Sequence, residues 1–372
     1  MVVTGIGLVS PLAANSHIAW ERLIKGNSGI KALPSALYGD TPVKIGGLVP
    51  TLEKDKAGGN HYCNQYGGGV HTVTQAVNRV ATQGSKRLSP FTMLSFLANL
   101  AAAHISIKYG FKGIIGAPGA AFAASLQAIG DGYNSILNQD AVIAVVGGSD
   151  ACINPVTLGG FNAARTLTTP FNNSPAKASC PFDSSRSGFV ISEGAGLLVL
   201  EELAHAKKRG VPILAEIKGY GTTSDAWHIT SVPKDGEGIA RAMTIALRKA
   251  ALNAKNIDYI HAHATSTIIG DNAELAALRT VFSTYKIYIS STKSSTGHLL
   301  GASGVTGASF SIKALNENIL PPSLNIDNLD EKAEGLNIIA NKAILKNINY
   351  VMVNGSGFGG VNASVIFKSY EN

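Results

Sequence analysis

The chain has 372 residues, 45% of them hydrophobic and 15% charged, which lets it bury a large core and excludes an intrinsically disordered polymer. A formal charge of +7 suits an acidic partner, yet no basic run is interleaved with aromatics and no apolar stretch reaches membrane-spanning length, so neither nucleic acid nor a membrane is expected. Three scattered cysteines, Cys63, Cys152 and Cys180, are too few for a disulfide framework or a metal site and point to a reducing compartment.

In chain order, residues 1–7 read as a buried strand running into a glycine turn. The chain is therefore expected to begin inside its fold, since a secretory signal needs a basic start and a longer apolar core. Short apolar runs that end in glycine or a polar turn predict strands over 141–146, 194–200, 259–263, 287–290, 350–354 and 363–367. Residues 201–210 predict a helix ending at Gly210, with Lys207, Lys208 and Arg209 at the negative end of its dipole. The boundary between two halves is placed just after it, giving 1–211 and 212–372. A helix over 237–252 puts Ile239, Met243, Leu247 and Ala250 on one face. Over 271–284, Asp271 is the expected N-cap and Glu274 stands three residues on, at capping-box spacing. A further apolar-periodic helix covers 302–316. Strand and helix alternate, which predicts an α/β fold with a mostly parallel or mixed sheet.

Three segments of the second half carry the chemistry. They are His261-Ala262-His263-Ala264-Thr265-Ser266-Thr267, then Ser291-Thr292-Lys293-Ser294-Ser295-Thr296-Gly297-His298, then Asn354-Gly355-Ser356-Gly357-Phe358-Gly359-Gly360. In this order they resemble the β-ketoacyl-acyl-carrier-protein synthases, the elongating condensing enzymes of fatty-acid synthesis. The resemblance runs from Val2 to Phe367 apart from one gap, and 171–175 with 261–267 look like the mitochondrial-type members. It implies a duplicated thiolase-like fold, a five-layer αβαβα sandwich, with a shortened first half. Between Leu48 and Gly67 the chain is shorter than its relatives by about one helix, and 55–65 shows no helical period.

The resemblance also implies decarboxylative Claisen condensation of acyl and malonyl groups carried on acyl carrier protein. The carrier brings its own phosphopantetheine, so no cofactor is expected, and the family context is a homodimer of the mitochondrial matrix. By the family pattern His263 and His298 are the catalytic pair and Lys293 supports them. Thr230, Ser231, Thr265, Thr267 and Phe358 match positions along the pantetheine path. Lys86 and Arg87 are a candidate remnant of the patch that faces the carrier protein. His261 falls outside the pattern and reads as structural.

The departures from the pattern bear on activity. Residues 109–113 match the lead-in to the family's nucleophile and 128–131 match the helix behind it. Counting from both sides places the family's cysteine on Phe122. Ser356 replaces the gating Phe, Gly307 stands where a supporting Glu is usual, and Cys180 stands where bacterial relatives usually carry Arg. Cys152 reads as a packing residue, and Ser125 lies three positions off the elbow. Condensation needs a thiolate at a helix N-terminus to accept the acyl chain, and donors that polarise the malonyl thioester carbonyl. The chain keeps the donors and lacks the thiolate. Two readings follow: a synthase-family protein impaired in condensation, or a non-catalytic partner subunit or malonyl-thioester decarboxylase that uses His263 and His298.

Overall fold

The structure, a computed structural model, describes residues 1–50, 69–282 and 285–371. Its main sheet contains β1 (Val2–Val9), β2 (Ile143–Asp150), β3 (Gly194–Glu201), β4 (Ala215–Ser224), β5 (Tyr259–His261), β6 (Tyr288–Ser290), β7 (Asn337–Ile338), β8 (Tyr350–Gly357) and β9 (Val361–Lys368). They lie in the order β7-β6-β5-β8-β9-β4-β1-β3-β2. β8, β5, β6 and β7 pair in parallel, and the remaining neighbours are antiparallel. The sheet is thus mixed.

The β2-β3-β1 meander repeats the pairing of β8-β9-β4. The two meanders are joined edge to edge where β1 meets β4 at Val2↔Glu216 and Val3↔Ala215. Beyond β8 the second half adds three parallel strands, whereas beyond β2 the described residues add none. The segment expected to have lost a helix falls largely outside the described residues, as does Cys63.

The flanking helices are α1 (Ser16–Ile24), α2 (Val70–Gln83), α3 (Leu100–Tyr109), α4 (Ala124–Leu137), α5 (Pro155–Ala163), α6 (Leu203–Arg209), α7 (Glu237–Lys249), α8 (Ile268–Phe282) and α9 (Ser303–Glu317). Alternate residues of the central strands serve two cores. Val351, Val353 and Val365 join Leu126 and Ile129 of α4 and Val305 and Ile312 of α9. Their neighbours Met352 and Ile366 join Ile239, Met243 and Leu247 of α7 and Leu275 and Leu278 of α8. Burial on both faces is why these strands read as continuous apolar runs. α4 and α9 pack closely at Gly304, where a Cβ would stand 2.6 Å from Leu126 Cγ.

Most boundaries shift by a few residues, and one assignment changes its meaning. The helix expected to begin at Asp271 begins at Ile268, so Asp271 is not its N-cap and Glu274 closes no capping box. Both carboxylates instead turn back onto the preceding loop. Asp271 accepts from Ser266 N and Phe182 N, each at 3.2 Å, and Glu274 accepts from His263 N at 2.9 Å and Ala264 N at 2.7 Å. Buried amides of an irregular segment need acceptors, and these acids supply them. Glu201 likewise belongs to β3 rather than to the following helix. α6 ends as expected at Gly210, whose φ of +67° is the left-handed cap glycine favours.

Candidate active site

Four segments converge on one cavity of about 460 Å³. The first is the turn Ala121–Ala123 that opens α4, with Ala121 held at φ +44°. The second is the loop after β5, which carries His263, Thr265 and Thr267. The third is the stretch from Lys293 to the start of α9, which carries His298. The fourth is the turn between β8 and β9, where Gly359 and Gly360 take φ of +85° and +76° and leave Phe358 against the cavity.

His263 and His298 stand with ring centroids 5.4 Å apart and planes at 82°. His298 is 1% exposed; its Nδ1 pairs with Ser303 Oγ at 2.7 Å, and its Nε2 has no partner among the described residues. His263 is fixed through its backbone: Glu274 takes its N–H, and the Lys293 ammonium donates to its carbonyl. Glu274 is itself held by Asn354 Nδ2 at 3.2 Å, and Asn354 accepts from Ser364 Oγ at 2.9 Å. Burial, reinforced by the Lys293 ammonium, holds both imidazoles well below the ordinary histidine range. Burial also pulls Lys293 down to about 8, against the pull of Glu274 and Asp271. At neutral pH the site therefore presents two uncharged imidazoles, each with one N–H donor and one bare nitrogen.

Phe122 closes the group. Its ring centroid lies 4.7 Å from that of His298 and 4.9 Å from that of Phe358, and 6.2 Å from Phe161 and from Phe189. Phe189 also meets the His298 ring edge-on at 5.2 Å. An aromatic cage thus surrounds one face of His298. Such contacts favour the ring over an open pocket at this point.

Of the residues singled out in sequence, Phe122, His263, His298, Thr230, Ser231, Thr265, Thr267 and Phe358 all line the cavity. Lys293 does not; it sits behind His263, its ammonium bonded to that residue's carbonyl. Lys86 and Arg87 lie on an exposed turn after α2 and do not line the cavity. Ser125 is buried, and its Oγ accepts from Val305 N at 3.0 Å. Cys152 donates to Asp150 Oδ1 at 2.6 Å, and burial with that carboxylate pushes its thiol far up. Cys180 is buried, 2% exposed.

Sequence reading missed Phe189 and Arg165, both of them cavity residues, and Phe161, whose ring packs behind Phe122 and Phe189. Nothing in local spacing joins positions so distant from the motifs. His261, read as structural, does not line the cavity. His261 Nε2 pairs with Thr292 Oγ1 at 2.9 Å, and its ring lies against Gly307. A Cβ at 307 would stand 2.7 Å from His261 Cε1, so the imidazole occupies the room that a side chain at 307 would need.

Two family models cover most of the chain: the N-terminal domain of β-ketoacyl synthase over residues 51–206 and its C-terminal domain over 214–327. The chain is 38% identical to a mitochondrial 3-oxoacyl-[acyl-carrier-protein] synthase of Arabidopsis thaliana, spanning 99% of this chain and 93% of that one. It is 36% identical to 3-oxoacyl-[acyl-carrier-protein] synthase 2 of Rhizobium meliloti, over 100% of this chain and 99% of that one. Among solved structures it resembles a type II PKS ketosynthase bound to its acyl-carrier protein, with TM-score 0.90 and 27% identity, covering 100% of this chain and 99% of that one. The fold is accordingly the thiolase-like fold of ketosynthases.

Proposed function

The chain belongs to the β-ketoacyl synthase family, and from that premise we propose that it decarboxylates malonyl thioesters without forming an acyl-enzyme. One observation carries the reading: the phenyl ring of Phe122, the residue to which we assign the family's sulfur position, stands 4.7 Å from the His298 ring. A hydrocarbon ring accepts no acyl group. The paired imidazoles can still act. With its carbonyl oxygen accepting from both rings, a malonyl thioester loses its carboxylate as carbon dioxide. The electron pair of the broken C–C bond passes into an enolate, and a solvent proton on carbon leaves an acetyl thioester. Each donor aimed at the developing oxyanion contributes about 10²-fold or more in rate.

The thioester arrives on the phosphopantetheine of an acyl carrier protein, so the chain needs no cofactor of its own. Thr230, Ser231, Thr265, Thr267 and Phe358 form the path of that arm, and Lys86 and Arg87 contribute to the carrier's landing surface. The formal charge of +7 suits an acidic carrier. Likeness to the Arabidopsis mitochondrial synthase supports a place in the mitochondrial matrix. Intact-mass spectrometry after incubation with an acyl-carrier thioester tests the reading. No acyl adduct is expected; an adduct on any residue would refute it.

A second role is favoured by the surface of the first half. α2 exposes Val73, Val77 and Val80, the following turns expose Phe91, Met93, Leu94 and Leu97, and β2 has no strand beyond it among the described residues. An apolar face beside an open sheet edge suits another subunit. The chain is then one protomer of a homodimer or the non-catalytic partner of an active synthase. Light scattering separates these: a dimer mass alone supports the first, and a dimer only after an active synthase is added supports the second.

A further inference from the structure

We propose that Ser303 is a positioning residue that fixes the tautomer of His298, keeping the ring's one hydrogen on Nε2 as a donor for the thioester carbonyl. The role rests on the reading of both imidazoles as donors in decarboxylation. The His298 backbone is pinned to residues 190–192: its N–H donates to Val190 O at 2.8 Å, and its carbonyl accepts from Ser192 N at 2.9 Å. Leu300, at φ +48°, then turns the chain so that Ser303, the first residue of α9, comes back onto the ring. That end of the helix is itself anchored. Val305 N donates to Ser125 Oγ at 3.0 Å, and Gly301 N donates to Asp150 Oδ2 at 3.2 Å. Ser303 Oγ stands 2.7 Å from Nδ1 of His298, and both side chains are buried.

Burial keeps this imidazole neutral, so it carries one N–H, and its contact with Ser303 can be made in two ways. With the hydrogen on Nδ1, the ring donates to Oγ and the serine hydroxyl needs an acceptor of its own. Among the described residues Ser303 Oγ has no recorded partner except Nδ1. Two buried groups are then left unpaired, the serine O–H and the lone pair of Nε2. With Ser303 donating, its O–H and the Nδ1 lone pair satisfy each other, and the Nε2 hydrogen alone is left over. One fewer unmade buried hydrogen bond favours this second arrangement by roughly tenfold or more. Nε2 is also the ring nitrogen without a partner among the described residues, and the side chain that carries it lines the cavity. A thioester carbonyl supplies the acceptor that this hydrogen lacks, with no prior shift of the proton round the ring.

NMR of the resting protein labelled with heavy nitrogen in histidine reads the tautomer without any substrate, the His298 signals being those lost in His298→Ala. Wild type is expected to carry the hydrogen on Nε2 at neutral pH. Ser303→Ala, which removes only the hydroxyl, should lower the ratio of Nε2–H to Nδ1–H by about tenfold, and Ser303→Thr should restore it. In carbon dioxide release from malonyl-carrier thioester, kcat should follow the Nε2–H fraction while KM stays unchanged. A hydrogen on Nδ1 in wild type would overturn the role of Ser303, and so would a tautomer ratio that Ser303→Ala leaves where it was. Nε2–H in a wild type that releases no carbon dioxide would leave the tautomer assignment standing and remove the decarboxylase reading.

Discussion

A single methyl group at Gly307 measures how firmly His261 is set behind the site. The added Cβ would stand 2.7 Å from Cε1 and 2.8 Å from Nδ1 of His261, closer than carbon contacts normally allow. The imidazole is 2% exposed and tied to Thr292 Oγ1 at 2.9 Å, so it has little room to retreat. Overpacking of this kind costs about 1–3 kcal/mol. Against it, alanine gains about 1 kcal/mol over glycine inside a helix. Gly307→Ala is therefore expected to lose about 1 kcal/mol. In a His261→Ala background the clash is gone and the same change should gain about 1 kcal/mol, a coupling of about 2 kcal/mol. Urea unfolding of the four proteins, with unchanged m-values, reads the cycle. Equal effects in both backgrounds would refute the idea that this imidazole occupies the room a side chain at 307 needs.

Other perturbations probe the chemistry and its electrostatic setting. Phe122→Cys should accept an acyl group in intact-mass measurements, at a loss of about 1–3 kcal/mol from the ring contacts with His298 and Phe358; a folded variant that stays unacylated would place the fault elsewhere in the pocket. His298→Ala should lower carbon dioxide release by about 10²-fold or more, with little change in carrier binding; an unchanged rate would remove that ring from the reaction. Acid should destabilise the fold early. His261 is driven down to about 3 by burial and by Lys293, so between pH 5.5 and 4 the unfolded chain binds a proton that the folded chain refuses. Stability is then fully present above pH 6.5 and falls on acidification by about 1.4 kcal/mol per pH unit for this group. His261→Gln should flatten the acid limb by that amount; an unchanged slope would show that the ring takes up its proton in place.

The motifs His261–Thr267, Ser291–His298 and Asn354–Gly360 are local, and each makes its own turn, so their chemistry is legible residue by residue. The strands are legible for a related reason. Both faces of β8 and β9 are buried, and the apolar run survives in sequence as a direct trace of that burial. Phe122 is assigned to the family's cysteine position because the segments on either side count to it without a gap. What sequence hid are relations between distant positions. Asp271 and Glu274 have capping-box spacing, yet their partners are amides at 182, 263, 264 and 266, and only the tertiary fold decides between the two uses. The contacts of Phe122 and Phe189 with His298, backed by Phe161, and the contact of His261 with Gly307 are likewise products of packing. Arg165 was hidden for a different reason: its left-handed backbone is unusual for a residue other than glycine, and no pattern of side chains announces it.

Malonyl-carrier thioester labelled in its free carboxylate, supplied with and without an acyl-carrier donor, tests most directly whether paired imidazoles work here without a sulfur. The expected result is labelled carbon dioxide and acetyl-carrier thioester in equal amounts, unchanged by the donor, with no β-ketoacyl product. Formation of a β-ketoacyl product would contradict it, and so would the absence of carbon dioxide.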